Sequence, residues 1–520
     1  ANSYTYTGRR ESPVTFSPGS QNADAAIYTS YLIANTNTLT TPITMDYISG
    51  NNGLRNGDGV PNIYGLYNNF GSYQASSTRQ IREQFRIATS FNTDIKSHAL
   101  TVGMEFDQRT NSFFSINAAG LWTRMRQIAN DHTRQLDLSN PIENPLFSGL
   151  VPYYYYNYLY EQNKQTQFSE KLLEKLGLPK NYTGFVNTDA LDPATLTLDM
   201  FSAEDLLGNT DASNLISYSG YSHDGVRQKG SKTDMNSFLN SKDANGRNLF
   251  PIGSFRPIYA SAYVMDKFDF KDMKFLVGLR VDRFDANQQV LKDKYALHEL
   301  ARVGDLASLE NLPAGFRDNI PASISKDAAV YVAQNPSGGK SPLSIRGYRE
   351  GDKWFNAEGA EISDPSLIAS SDSRPVPLYK DNANYDSRVS AKAFTDYVAA
   401  INPQPRLAFS FPISDVANFF AHYDVLIQRP FNLQLSPLDY YYMNASSTTP
   451  LITNPNQRPQ QTIDYEFGFS QVLNERKNAS LTITSFYKEF RNQINQRIVV
   501  GAYPKNYIIF DNIDFSTVKG

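Results

Sequence analysis

Apolar and polar residues alternate with a period of two in several stretches of this chain. The clearest is 463–469, where Ile, Tyr, Phe and Phe alternate with Asp, Glu and Gly. The stretches 100–106, 419–427 and 85–91 repeat the pattern. Successive side chains of a β-strand point to opposite faces, so this period predicts strands with one apolar and one polar face. A helical period would mix the two kinds of residue. We therefore predict an all-β fold.

The predicted strands come in pairs that are joined by short turns. Each turn carries Asp, Asn or Lys, as hairpin turns favour. The four pairs are 81–93 with 98–110, 263–270 with 274–288, 405–413 with 418–430, and 461–473 with 479–494. Much longer stretches separate the pairs. These long loops are 9–80, 111–262, 289–404 and 431–460.

The regular succession of short turns and long loops favours a transmembrane antiparallel β-barrel of the outer-membrane type. Antiparallel strands put successive connections at opposite ends of the sheet, so all short turns fall at one end, as in such barrels. The strand lengths also suit a tilted span of the hydrocarbon layer. A large soluble β protein is the alternative. In a barrel, charged residues at the polar positions should face the lumen rather than lipid. These lumen-facing candidates are Asp107, Arg280, Asp424, Asp464 and Glu466.

Composition excludes several classes of function. The chain has no cysteine, which excludes disulfides, thiolate metal sites and cysteine nucleophiles. Its 49 Lys+Arg against 52 Asp+Glu give no attraction to nucleic acid. No two of the five histidines lie three to five residues apart, so zinc-type pairs are absent. We predict no catalytic residue, no cofactor and no metal site, and hence no enzyme. A loose calcium site at Asp58 or Asp243 stays open.

Several groups of aromatic residues lie in the long loops, where specific function is usually located. Such residues suit stacking against sugars or packing against a partner protein, although they could equally pack the loops on one another. The candidates for ligand or partner binding are Trp122, Tyr153, Tyr154, Tyr155, Trp354, Tyr440 and Tyr441. The loops should also contain short helices. Apolar spacing predicts these at 165–176, 202–207 and 293–311.

Three segments resemble the barrel of TonB-dependent outer-membrane transporters of the Bacteroidetes type. NPNQRPQQTIDYEFG at 454–468 is similar to a strand motif of that family, with Gln457 and Gln460 in place of its usual Leu and Glu. SFYKEFRNQI at 485–494 and NIDFSTVKG at 512–520 resemble two further strands. The resemblance covers perhaps 150 residues, mostly strands.

The resemblance implies a 22-strand barrel in the cell outer membrane, of which this chain supplies about ten strands, including one near 1–8. We expect residues 1–520 to be a partial barrel domain, with the plug domain and the C-terminal strands outside it. The implied function is import of an unidentified substrate, with membrane lipids, the TonB motor and a possible surface lipoprotein as partners. The alternative is a non-transporting barrel that serves as a subunit or scaffold for insertion, secretion or surface display. A surface adhesion protein is a third class.

Overall fold

A computed structural model describes residues 23–37, 43–51, 53–58, 76–143, 154–207, 215–310, 312–334, 342–369, 374–381, 389–430, 433–445 and 448–520. Nine long strands dominate this part of the chain. They are β1 (Ser76–Ile95), β2 (His98–Asn117), β3 (Ile258–Phe270), β4 (Met273–Asp285), β5 (Ala400–Ser414), β6 (Ala417–Gln428), β7 (Gln460–Val472), β8 (Ser480–Val499) and β9 (Tyr507–Lys519). The strand expected near residues 1–8 lies outside the described residues.

The nine strands pair in chain order within one sheet. Each neighbouring pair of long strands from β2–β3 through to β8–β9 is antiparallel. Two short strands complete the sheet of eleven: Ile216–Ser219 beside β2, and Leu451–Ile452 parallel to β9. The four predicted hairpins are confirmed. The all-β prediction is therefore confirmed for the described part of the chain.

Tight hairpin turns join β1 to β2, β3 to β4, β5 to β6 and β7 to β8. Lys96 and Lys271 adopt the left-handed backbone conformation in the two-residue loops that join β1 to β2 and β3 to β4, as such loops require. Lys477 adopts the same conformation in the longer turn between β7 and β8. The remaining connections are 118–257, 286–399, 429–459 and 500–506. They leave from the opposite end of the strands, as the sequence predicts.

The chain divides into two compact units, with the boundary falling within β1 and β2. The first unit comprises Ala1–Gln80, Phe113–Gln228 and Ser241–Pro251, and the second comprises Ile81–Ser112, Lys229–Asn240 and Ile252–Gly520. Among the described residues, five α-helices belong to the first unit: α1 (Ala23–Ala34), α2 (Met45–Gly50), α3 (Ala118–Ile128), α4 (Gln167–Lys175) and α5 (Ala203–Leu207). Two belong to the second: α6 (Met235–Asn240) and α7 (Pro437–Tyr441).

The helices predicted at 165–176 and 202–207 are confirmed as α4 and α5. The Thr166 side chain caps α4 by accepting a hydrogen bond from the Ser169 N–H, which satisfies one of the free donors of the first turn. The apolar face of α4 is buried, and Phe168 stacks on Phe201 with ring centroids 4.5 Å apart. A short hairpin of Leu136–Glu143 with Tyr154–Tyr158 also belongs to this unit. Among the described helices, none is long and apolar enough to cross a membrane.

The helix predicted at 293–311 is wrong. Residues 301–303 are instead tied by backbone hydrogen bonds to neighbouring extended segments: the Ala301 N–H donates to Leu378 O at 2.8 Å, and the Val303 N–H donates to Ala328 O at 2.9 Å. Among the described residues 293–310, only a three-residue 3-10 turn, Val303–Asp305, is helical. The apolar residues that suggested a helix bury against a five-stranded sheet. Its strands are Ala329–Gln334, Pro342–Glu350, Lys353–Asn356, Glu361–Ile362 and Val376–Pro377. A further pair joins Gln289–Leu291 to Phe394–Asp396.

Candidate functional site

The long strands carry their charged residues on one shared face, which we call the polar face. The register places residues of neighbouring strands directly opposite each other, and opposed residues point to the same side. Arg280 of β4 contacts Asp282 at 2.6 Å and reaches Glu105 of β2 at 3.8 Å. Glu105 also pairs with Arg86 of β1 at 2.7 Å. The structure thus places Arg280, which the sequence predicts to face the lumen, within an ion-pair network on the polar face.

Asp107 is the most buried of the predicted lumen-facing residues, at 1% exposure. Its carboxylate accepts hydrogen bonds from Gln84 at 3.0 Å and from Arg429 at 3.1 Å. Arg429 directly follows β6, and its guanidinium lies 3.7 Å from the centre of the Tyr259 ring of β3. In a flat sheet β2 and β6 would be about 19 Å apart, at about 4.8 Å per strand. One arginine side chain cannot span that distance, so the sheet curls toward its polar face here.

The other three lumen-facing candidates lie on β6 and β7. Asp424 pairs with Arg406 of β5 at 2.9 Å. Asp464 forms an ion pair with Lys488 of β8, with 2.8 Å between Oδ2 and Nζ. A carboxylate oxygen of Glu466 lies 3.8 Å from His422 Nε2. The structure therefore brings all five candidates onto the polar face, the four carboxylates beside basic side chains and Arg280 beside acidic ones. Whether that face borders a lumen stays a prediction.

The opposite face of the same strands is apolar and exposed. Phe85, Met104, Leu279, Leu407 and Phe467 all project from it. An exposed apolar surface of this extent marks a site of interaction with lipid or with a protein partner.

Two rows of aromatic side chains run across this apolar face, and sequence reasoning missed them as rows. Near the hairpin turns, Phe268, Phe275, Phe409 and Phe419 follow one another with ring centroids 5.2–6.3 Å apart. Further along, Tyr423, Tyr465 and Tyr487 form a second row at 5.1 and 6.0 Å. In the sequence, each of these strands carries an aromatic residue at a similar distance from its hairpin turn. Only the strand register shows that these residues are aligned as neighbours.

The aromatic candidates in the loops differ in how far they are buried. Tyr154 and Tyr155 are exposed, at 41% and 47%, and Trp122 on α3 is half-buried. Trp354 and Tyr440 are buried, at 5% and 2% exposure. The burial of Trp354 against Tyr295 and Tyr331 favours the packing interpretation for that residue. Tyr441 packs on Phe238 and Tyr442, and Tyr153 lies outside the described residues. A binding role for these residues stays a prediction.

Tyr440 lines a cavity of about 400 Å³ in the second unit, which is within the size range of ligand pockets. We call it the loop pocket. Charged residues dominate its wall, and none of them is singled out by a sequence motif, because each is an isolated charge in a long loop. These charged residues are Lys292, Asp293, Lys294, Arg302, Arg349, Asp352 and Asp511. Such a lining can hold a polar, hydrogen-bonding solute.

Arg349 organises the wall of the loop pocket. It is buried, and its guanidinium donates to Asp293 at 2.5 Å, to the Tyr331 hydroxyl at 2.9 Å and to Gly351 O at 2.6 Å. It also lies 4.2 Å from the centre of the Tyr295 ring. Burial alone would lower the pKa of Arg349, but Tyr331 and Asp293 outweigh this and raise it. The guanidinium is therefore a permanent positive charge in the wall.

Asp352 provides a pH-dependent contact at the rim of the loop pocket. Its carboxylate accepts hydrogen bonds from Lys294 and from the Tyr295 hydroxyl, both at 3.0 Å. Partial burial would raise the pKa of Asp352, but the Lys294 and Tyr295 contacts outweigh it, and the pKa is lowered.

A carboxyl group whose pKa is lowered on folding stabilises the fold above its unfolded pKa, and this contribution is lost as the pH falls through the folded pKa. We expect hydrogen-exchange protection of 293–295 to hold above about pH 4 and to weaken below it. Because the Asp352 side chain is 53% exposed, the loss should be below about 1 kcal/mol. The Asp352→Asn variant should lack this acid-dependent step, and an identical step in that variant would assign it to another group.

The two calcium candidates are engaged in loop structure. Asp58 accepts hydrogen bonds from the backbone N–H and from Nε of Arg55, both at 2.9 Å. Asp243 accepts from the backbone N–H groups of Asn245 and Arg247, both at 2.8 Å. These bonds account for the residue types without a bound ion, and they favour a structural role in turns.

No protein-family model matches the chain, and no curated protein matches its sequence. Solved structures similar to it include the siderophore receptor PirA from Pseudomonas aeruginosa, at 9% identity and a TM-score of 0.27 over 86% of this chain and 46% of that one. The Serratia marcescens hemophore receptor HasR matches at 9% identity and a TM-score of 0.29, over 86% and 39%. The copper transporter OprC matches at 9% and 0.30, over 86% and 35%. The chain thus spans less than half the length of each of these proteins.

Proposed function

We propose that this protein is an outer-membrane transporter of the TonB-dependent kind, which imports a substrate through a plugged β-barrel. The observation that carries the proposal is the two-faced antiparallel sheet, apolar and exposed on one side and charged on the side toward which it curls. Its tight turns lie at one end and its long loops at the other. The motifs at 454–468, 485–494 and 512–520 add a resemblance to the same class.

The outer side of the sheet is suited to lipid. The long strands have 12–20 residues, and a tilted strand needs about 9–11 to cross the hydrocarbon layer. Exposed residues such as Met104 and Phe467 would be costly in water as a continuous surface but are favourable in lipid. The aromatic row near the hairpin turns is placed as an interfacial girdle would be. The apolar face is therefore proposed to contact lipid.

The polar face is suited to a water-filled or plugged interior. An arginine or lysine at the membrane midplane costs roughly 2–4 kcal/mol on a lipid-facing site, whereas Asp107, Arg280 and Asp424 each have an oppositely charged partner on the polar face. Backbone groups at the edges of the sheet also need partners in lipid. Further strands that close the barrel would supply them, and the 22-strand total belongs to this proposal.

The long loops are proposed to contact the substrate at the loop pocket. Its mixed charges suit a polar solute that carries both donors and acceptors. Import would draw on the TonB motor through a plug domain, and a surface lipoprotein is a possible further partner of the loops. The chain's own residues would bind and guide the solute, and they supply no covalent chemistry.

A second candidate is a barrel without transport activity that serves as a subunit of a larger outer-membrane assembly. It is favoured by the exposure of Tyr154 and Tyr155 on the hairpin of Leu136–Glu143 with Tyr154–Tyr158, because exposed tyrosines are enriched at protein interfaces.

The two candidates can be separated by isolating the native protein from outer membranes under mild conditions and imaging it. We expect a plugged barrel, alone or with a surface lipoprotein over its loops. Stoichiometric association with other barrels would favour the scaffold, and recovery in the soluble fraction would exclude both. If the protein is a transporter, substitution of Tyr154 and Tyr155 with serine should leave uptake unchanged. If it is a subunit of an assembly that binds through that hairpin, the same substitutions should dissociate the complex.

A further inference from the structure

Three side chains with metal-binding chemistry meet on the polar face where β6 pairs with β7. His422 lies directly opposite Glu466 in the register, and Asp464 is two residues before Glu466 and so shares its face. His422 Nε2 is 3.9 Å from a carboxylate oxygen of Asp464 and 3.8 Å from one of Glu466. One ligand atom from each residue falls within 4.8 Å of the other two. The chain separation between His422 and the two carboxylates hides this group from any search by sequence spacing.

Asp464 gives an independent indication that a cation is accommodated here. The residue is only 7% exposed, yet its Oδ1 atom makes no hydrogen bond with any described part of the chain. A buried carboxylate oxygen without a partner is costly. Its other oxygen, Oδ2, accepts from Lys488 Nζ at 2.8 Å. Oδ2 is also the oxygen that lies 3.9 Å from His422 Nε2, so one carboxylate offers both an oxygen beside the imidazole and a buried oxygen without a hydrogen-bond donor among the described residues.

We propose that His422, Asp464 and Glu466 bind a divalent transition-metal ion of the Zn²⁺ type. One imidazole and two carboxylates form a nitrogen and oxygen donor set that suits such ions. At metal–ligand distances of about 2.0–2.2 Å, tetrahedral ligand atoms lie roughly 3.3 Å apart. His422 Nε2 lies 3.9 and 3.8 Å from the carboxylate oxygens of Asp464 and Glu466. Small side-chain rotations would shorten these distances to the separation that a bound ion requires. Three protein ligands leave a coordination position open to water or to a solute.

Lys488 competes with the proposed metal ion for the carboxylate of Asp464. Its ammonium occupies one oxygen of Asp464 and places a positive charge beside the incoming ion, which weakens binding through like-charge repulsion. The ion must displace this contact, so the affinity of the native site should be moderate. Removing the charge of Lys488 should therefore strengthen metal binding. A purely structural ion-pair cluster predicts no such gain, because nothing in it would respond to added metal.

The test uses the native protein, stripped of metal with a chelator and kept in detergent. Co²⁺ is added as an optical probe and is then competed away with Zn²⁺. We expect one Co²⁺ per chain, with a d–d spectrum that changes when His422 is replaced by Gln. The His422→Gln and Asp464→Asn variants should weaken binding by at least the 10–100-fold that loss of a supporting residue typically costs. Lys488→Gln should strengthen it by about tenfold or more.

Asp424→Asn is the matched control. Asp424 lies opposite Asp464 in the register but pairs with Arg406, so its loss should leave the affinity within about twofold, well short of the effect of a lost ligand. Each variant is checked for native folding by its heat-dependent shift in electrophoretic mobility. Unchanged affinity in folded His422→Gln and Asp464→Asn would overturn the proposal, as would failure of both the native protein and Lys488→Gln to bind either ion. Metal binding is measured without transport, so this test does not depend on the proposed import function.

Discussion

Replacing Phe467 with arginine should prevent the protein from assembling in the outer membrane. Phe467 is 56% exposed at the middle of β7, where it projects from the apolar face between Ala421 and Ser485 of the neighbouring strands. An arginine at the midplane of a lipid-facing strand costs roughly 2–4 kcal/mol. The Phe467→Arg protein should therefore be depleted from the heat-modifiable, folded fraction of outer membranes, as measured by semi-native electrophoresis.

Two variants control for a general loss of stability. Phe467→Leu keeps an apolar side chain on the same face and should assemble normally. Glu466→Gln changes the adjacent residue on the polar face, and it should also assemble. If Glu466→Gln were as damaging as Phe467→Arg, the assignment of the two faces would be inverted.

Replacing Arg349 with methionine should destabilise the folded loops around the loop pocket by about 3–5 kcal/mol, the usual cost of breaking a buried ion pair from one side. Arg349 is 4% exposed, and its removal leaves Asp293 and the Tyr331 hydroxyl without their donor. Burial raises the pKa of Tyr331 to about 12, so that hydroxyl stays neutral and its oxygen loses the donor that Arg349 supplied. Hydrogen exchange of Ala329–Gln334 and Pro342–Glu350 should report the loss as a lower free energy of local opening.

Arg346→Met is the matched control, because Arg346 lies on the same strand but is exposed and makes one long contact of 3.5 Å to Ala369 O. It should change the opening free energy by less than about 0.5 kcal/mol. Arg349→Lys keeps the charge but not the planar donor set, and it should fall between the two. Equal protection in Arg349→Met and Arg346→Met would show that the buried pair adds nothing to local stability.

The strands were predictable because their information is local. Period-two alternation and short polar turns are properties of segments of about 10–20 residues. The observed bounds of β3 to β8 follow the predicted segments closely at the end where the hairpin turns lie. At the far end the strands extend past the prediction or stop short of it, as where β1 begins at Ser76 and β2 continues to Asn117. There the pairing partner, rather than the residue pattern, decides how long the ladder continues.

The prediction failed where tertiary contacts overrode a local pattern. The apolar spacing at 293–311 is compatible with a helix. Instead, the backbone N–H groups of Ala301 and Val303 donate hydrogen bonds to distant segments of the chain, and these bonds hold residues 301–303 in an extended conformation. Trp354 and Tyr440 were chosen as open aromatic platforms. Their burial depends on residues such as Tyr295 and Phe394, which lie about 45–60 positions away in the chain.

The sequence by itself determined the class of secondary structure, the four hairpins, the polarity of the two ends of the sheet and the face on which Asp107, Arg280, Asp424, Asp464 and Glu466 lie. These properties depend on side-chain alternation and turn chemistry, which are local. Only the tertiary structure decided which charges meet, that Arg349 and Asp352 share a pocket, and that His422 stands opposite Glu466. These contacts depend on strand register, because a one-residue shift in the pairing of a strand would move each of its side chains to the other face of the sheet. Spacing along the chain does not encode that register.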